Sequence, residues 1–174
     1  MKLNNIKASF LFKNSVVKNE KSFIFENNIV KNEKRQIIWK NGNYTFTIYR
    51  YTPKLINITG VKSAEEIEQQ KTLMEEMFKQ KVLQVRIDNT FFSKKDYKNI
   101  DMPTLYKYVK ENKDYFVNYN IELFAGMYLH PTNKLYPTIL VFRTGSYILM
   151  GGKSLKLLYE SEQFVKDLIQ MFKK

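Results

Sequence analysis

The chain carries the same pattern twice, about half its length apart. Ile58-Thr59-Gly60-Val61-Lys62-Ser63 closes an apolar, alternating segment and opens a stretch with helical spacing. Met150-Gly151-Gly152-Lys153-Ser154 does the same near the C-terminus. Upstream, Asn5-Ile6-Lys7-Ala8-Ser9 and Asn89-Thr90-Phe91-Phe92-Ser93 sit in alternating stretches with the same Asn-to-Ser interval. Two markers recurring together indicate a duplicated unit, and a duplicated unit predicts one pseudo-symmetric fold. The repeats run from about 1 to 80 and from about 81 to 174, and the 174 residues together read as a single domain able to bury a core.

Alternating hydrophobicity predicts strands over 6–12, 36–39, 44–51, 55–59, 82–92, 123–129, 138–143 and 147–150. Lys40-Asn41-Gly42-Asn43 is a hairpin turn, and Thr52-Pro53-Lys54 and Thr144-Gly145-Ser146 are further turns. The segment 13–35 is polar and rich in Asn and Lys, with one β-like stretch at 22–25. Phe46 and Ile48 share a face with Ile56 and Ile58, while Tyr49, Tyr51, Asn57 and Thr59 share the other. Ser63-Ala64-Glu65-Glu66 reads as a capping box, with Ser63 accepting from the third helical amide and Glu66 reaching back to the cap. That helix has a buried stripe of Ile67, Leu73, Met74, Met77 and Phe78. A helix over 102–111 carries Pro103 in its first turn, and Ser154 caps a last helix with Leu158, Val165, Leu168, Ile169 and Phe172 inward. This order predicts an α+β fold with helices on one face of an antiparallel sheet and the other face open.

The net charge of +12, from 29 basic and 17 acidic side chains, favours a polyanionic partner, nucleic acid before an anionic membrane surface. Only four of the basic residues are arginine, and Asn, Ile, Lys and Tyr abound, as in translation of an AT-rich genome. Part of the charge therefore follows codon usage. Cysteine is absent, which excludes disulfides and thiolate metal sites. No apolar run approaches the length of a membrane span, and the N-terminus lacks a signal-peptide core, so a soluble intracellular protein is predicted. His130 is the only histidine, which leaves no Cys/His pair and no His-rich metal site. Gly152-Lys153-Ser154 is not a phosphate loop, because that motif needs a glycine where Tyr147 stands. Asp88, Asp101 and Glu122 are scattered and read as solvated surface. No enzyme, cofactor or metal is predicted.

Glu122-Leu123-Phe124-Ala125-Gly126-Met127-Tyr128, Ile139-Leu140-Val141-Phe142-Arg143-Thr144-Gly145 and Ile148-Leu149-Met150-Gly151-Gly152-Lys153 resemble the second repeat of the TATA-box-binding protein family. Residues 44–63 resemble the matching part of its first repeat, and Val85-Arg86-Ile87-Asp88-Asn89 the opening strand of its second. The resemblance covers about three quarters of the chain and weakens over 13–35. Its divergence fits a copy carried by a large DNA virus, acting in the nucleus or in a cytoplasmic viral factory. The resemblance implies a saddle: a curved antiparallel sheet whose concave face lies in the DNA minor groove, with helices on the convex face.

The family's chemistry then falls on particular residues. The minor groove offers only acceptors at A·T pairs, so an Asn amide donates to them while flat apolar side chains exclude the guanine amino group. Asn5 and Asn89 match the two central asparagines, and Phe124 and Phe142 match the wedge pair of the second repeat. Tyr51 matches the inner wedge of the first repeat, whose outer wedge has no counterpart near Lys34. Leu140, Ile148 and Met150 match groove-lining positions, with Tyr49, Asn57 and Thr59 as their first-repeat equivalents and Phe91 on the same surface. Lys62 and Lys153 match lysines near the phosphates, and His130 falls where the family has a basic residue. Lys7, Asn57, Ala125 and Met150 depart from the family pattern, and the helix after Ser63 is acidic where the family's is basic. The implied function is a transcription initiation factor that binds and bends A·T-rich promoter DNA. The implied partners are a transcription factor IIB-like factor or the RNA polymerase machinery, with no membrane. The alternative is a protein-interaction scaffold of a transcription complex with weak or no DNA binding.

Overall fold

The computed structural model describes residues 3–17 and 30–174, with Val30 described by its backbone alone. The β-like stretch expected at 22–25 lies outside the described residues. The chain divides into two compact units, one holding 4–88 and the other 89–174.

The first unit contains β1 (Asn5–Phe12), β2 (Val30–Asn32), β3 (Gln36–Asn41), β4 (Tyr44–Tyr49), β5 (Leu55–Val61) and α1 (Ala64–Phe78). It also holds the first part of β6 (Val82–Lys94). Its antiparallel strands lie in the order β2-β3-β4-β5-β1. The register follows the alternation: Phe46 pairs with Ile58, Ile48 with Ile56, and Phe10 with Ile56. These residues are buried together with Ile37, Trp39, Ala8 and Phe12. Each large apolar side chain removed from water contributes roughly 1.5–3 kcal/mol. Trp39 stacks on its cross-strand partner Phe46 at 4.2 Å, and Phe12 meets Phe78 of α1 edge-on at 5.7 Å.

The first repeated marker is a bulge. Pairing of β1 with β5 steps from Ile6–Val61 to Ala8–Ile58, leaving one extra residue in β5. Gly60 takes φ +95° there, and a Cβ would lie 2.0 Å from the Asn43 carbonyl oxygen. Only glycine fits such a position. Ser63 then caps α1 by accepting from the Glu66 amide at 3.2 Å, while the Glu66 carboxylate accepts from the Lys62 amide at 2.9 Å. The expected reciprocal bond thus lands one residue ahead of the cap. α1 buries Ile67, Gln70 and Met74, and leaves Leu73, Met77 and Phe78 half-buried. Helical spacing puts Gln70 inside the stripe, where its Oε1 has no hydrogen-bond partner among the described residues.

The second unit holds the rest of β6, α2 (Met102–Lys110), β7 (Tyr115–Asn118), β8 (Gly126–Pro131), β9 (Thr138–Phe142), β10 (Tyr147–Met150) and α3 (Leu155–Met171). Its strand order is β6-β10-β9-β8-β7, again antiparallel. Phe92, Met127, Leu129, Ile139, Val141, Tyr147 and Leu149 form one buried face, and Leu105, Val109, Leu158, Val165, Leu168 and Ile169 of α2 and α3 are buried with it. Tyr147 donates to Glu162 of α3 at 3.2 Å; burial, then the Glu162 charge, pushes the phenol well above its ordinary range, so it stays a donor. Gly151, the match of Gly60, has φ +83° with nothing among the described residues within 4 Å of a Cβ. Ser154 caps α3 through the Leu157 amide at 3.4 Å.

Two differences from the sequence expectation lie here. β7 was not expected, and β8 begins at Gly126 rather than at 123. The Asn120 side chain accepts from the Glu122 amide at 3.1 Å, and its carbonyl accepts from the Leu123 and Phe124 amides. That local bonding competes with a strand ladder and holds 120–123 in a turn.

Candidate nucleic-acid interface

Each unit leaves one sheet face outside its core. In the second unit, cross-strand pairing places Tyr128, Leu140, Ile148 and Ser93 in one row. Thr138, Met150 and Phe91 form the next row. Paired residues share a face, and these alternate with the buried Leu129, Ile139, Leu149 and Phe92. Phe91, Ile148 and Met150 are partly or well exposed, whereas Leu140 is only 4% exposed. The reason is the packing around Gly126: a Cβ there would meet Phe124 at 2.6 Å, Leu140 at 2.7 Å and Phe142 at 3.0 Å. Three side chains converge over that bare backbone.

Phe124 and Phe142 meet edge-on at 5.9 Å on this seat. Phe124 is 42% exposed, although it precedes its strand, and Phe142 is half-buried. Two rings that the core does not need stand at the surface together. The row continues: Phe124 stacks on Tyr128 at 5.6 Å, and Tyr128 on the exposed His130 at 5.6 Å. Sequence reasoning missed Tyr128, although it lies two residues from His130 and four from Phe124, a period-two signal on a strand. It also missed Phe116, 71% exposed, which pairs with His130 across β7 and β8. Asn89 and Lys153 are exposed.

The first unit's open face has a different chemistry. Thr45 pairs with Thr59, while Thr47 and Ser9 both pair with Asn57. Asn57, expected to face the groove, is 9% exposed. Its Oδ1 accepts from the Ser9 hydroxyl at 3.1 Å and its Nδ2 reaches the Thr47 carbonyl at 3.5 Å. Ser9 also contacts the Asp88 carboxylate, which accepts from Arg86 Nε at 2.6 Å. Asp88, expected as solvated surface, is thus held by two side chains. Tyr49 and Tyr51 stand 5.3 Å apart, with Tyr51 74% exposed. Thr59 and Lys62 are half-buried. Beside this network lies a cavity of about 430 Å3 lined by Ser9, Leu11, Tyr51, Leu55, Gln84 and Arg86, among others.

Asn5 is placed by the bulge. Its Oδ1 accepts from the Gly60 amide at 2.8 Å, which leaves the Nδ2 amide as the group able to donate elsewhere. Among the described residues no group of three or more acidic or histidine side chains could hold a metal ion, and no helix is long and apolar enough to cross a membrane.

No protein-family model matches this sequence, and no curated protein matches it. Among solved structures, the chain is similar to Methanococcus jannaschii TBP at 18% identity and a TM-score of 0.66, over 98% of this chain and 98% of that chain. Agreement over both full lengths at so low an identity is agreement in backbone rather than in side chains. The chain has an α+β fold of the kind seen in the TATA-box-binding protein.

Proposed function

We propose that this chain is a DNA-binding transcription initiation factor that lies in the minor groove, bends the duplex and performs no catalysis. The supporting observation is the Phe124–Phe142 pair, seated over Gly126 on a sheet face whose reverse carries the core. Exposed rings of this kind mark a binding surface rather than a folding need. Minor-groove proteins use such apolar wedges to unstack a base step. Asn5 and Asn89 supply amide donors for the acceptors at A·T pairs, and Lys62 and Lys153 supply charge for phosphates. A factor of this kind works where DNA is transcribed, in the nucleus or a viral factory, and hands the bent promoter to the polymerase machinery.

The test is a fluorescence bending assay on A·T-rich and G·C-rich duplexes across a salt series. Binding that weakens with salt, with bending and a modest A·T preference, is the expected result. Protein that neither binds nor bends any duplex at low salt would sink the proposal. It would leave a protein-interaction scaffold, which two observations favour: the first unit's open-face polar groups bind one another, and α1 exposes Glu65, Glu68 and Glu76.

A further inference from the structure

We propose that Asp88 is a specificity-determining residue: its carboxylate accepts the 2-amino group of a guanine, so the first unit takes a G·C pair at one position. The inference rests on the DNA-binding reading above. Asp88 meets the Ser9 hydroxyl, and Ser9 is the cross-strand partner of Asn57, so the carboxylate lies on the open face. One oxygen accepts from Arg86 Nε at 2.6 Å and the other contacts Ser9. A carboxylate has about four lone-pair sites, so these partners leave acceptor capacity. The side chain is 17% exposed, enough to be reached.

The floor of the minor groove decides what that acceptor meets. At A·T and T·A it shows only acceptors, which oppose a carboxylate and leave it dehydrated without a partner. At G·C it adds the guanine N2 amino donor, and a hydrogen bond to an ionised oxygen is roughly twice as strong as a neutral one. Arg86, 62% exposed, compensates the carboxylate charge against nearby phosphates. Space agrees with charge. The cavity of about 430 Å3 beside Ser9 and Arg86 gives a protruding amino group somewhere to go. A cavity of about 620 Å3 also borders Ser93, Phe142 and Ile148 of the second unit, so space alone does not set the first unit apart.

The experiment scans one base pair at a time through a bound duplex, comparing G·C with inosine·C and A·T with 2,6-diaminopurine·T. These swaps remove or add the minor-groove amino group while leaving the major-groove edges of the purines nearly unchanged. Wild-type protein is expected to show one position where amino-bearing pairs bind roughly tenfold tighter. Asp88→Ala should abolish that difference while still binding A·T-rich duplexes. Asp88→Asn, which keeps the shape, should weaken it and serves if the alanine variant fails to fold. Binding with no amino-dependent position, or a preference unchanged in both variants, overturns the inference alone. Failure of wild-type protein to bind any duplex overturns it together with the DNA-binding reading.

Discussion

The two open faces start from the same duplicated pattern and end with opposite chemistry. In the second unit, Phe91, Leu140, Phe142, Ile148 and Met150 make an apolar surface with aromatic rings standing on it. In the first, Ser9 contacts both Asn57 and Asp88, and Tyr51, at the inner-wedge position, stands beside Tyr49. The cores differ less: both are apolar, with Ile and Phe prominent in the first and Leu, Ile and Val in the second. The shared parts are those that backbone geometry demands, namely a left-handed glycine and a serine cap before each long helix. A duplicated fold therefore keeps its turns and caps while its exposed faces diverge.

The matched glycines allow the comparison to be broken most sharply. A non-glycine residue at positive φ costs about 1–2 kcal/mol. Gly60→Ala adds a collision with the Asn43 carbonyl, 2.0 Å from the new Cβ, while Gly151→Ala meets open space. We expect Gly60→Ala to destabilise by about 2–5 kcal/mol and Gly151→Ala by only about 1–2 kcal/mol. Urea unfolding midpoints at matched slope measure this. Equal losses would show that the two glycines are not distinguished by packing.

The next effect concerns DNA. Phe124→Ala combined with Phe142→Ala should remove most bending, because unstacking a step costs a few kcal/mol that only an inserted ring recovers. Tyr49→Ala with Tyr51→Ala should reduce bending less, since Tyr51 is 74% exposed and borders a cavity, whereas the phenylalanines close over a bare glycine. Energy transfer between labels at the duplex ends reads both. A larger loss from the tyrosine pair would reverse the assignment of the wedge to the second unit.

Much of this was legible in the sequence. Alternation over β4 and β5 puts Phe46, Ile48, Ile56 and Ile58 on one face, and the observed pairs Phe46–Ile58 and Ile48–Ile56 agree. Ser63 and Ser154 announce their helices through local hydrogen bonds. What stayed hidden was either long-range or locally misleading. Asp88 finds Ser9 across 79 residues, and no spacing in the chain signals that contact. Leu123-Phe124-Ala125 reads as the start of a strand because it is apolar, yet Leu123 is 83% exposed and Asn120 holds the segment in a turn. β7 turns Phe116 outward, which obscures its alternation. The apolar residues that sequence misplaced here, Leu123 and Phe116, are ones whose apolar character serves a surface.

Charge should separate from shape in a third measurement. Lys62→Ala and Lys153→Ala should each weaken binding to all duplexes about equally and lower the slope of log affinity against log salt by about one. Because Lys153 is exposed and Lys62 half-buried, the Lys153 change should leave folding stability within about 0.5 kcal/mol of wild type. A sequence-dependent loss at either lysine would mean that it reads bases rather than phosphates.

The smallest effect tests the central asparagines against each other. Asn5 does two jobs: its Oδ1 accepts from the Gly60 amide at 2.8 Å, and that bond leaves its Nδ2 as the group able to donate elsewhere. Asn89 is exposed, and the matching glycine amide, that of Gly151, donates instead to the Thr90 carbonyl at 3.1 Å. Asn5→Ala should therefore cost about 1 kcal/mol of folding stability, the usual worth of such a bond. Asn89→Ala should cost none beyond about 0.5 kcal/mol. On DNA both should lose A·T preference, but Asn89 must order its side chain on binding whereas Asn5 is already fixed. Truncating Asn5 then removes a pre-oriented donor and should cost more affinity than truncating Asn89. A larger binding loss at Asn89, with unchanged stability at Asn5, would mean that the Gly60 bond does not orient the donor and that the bulge serves the fold alone.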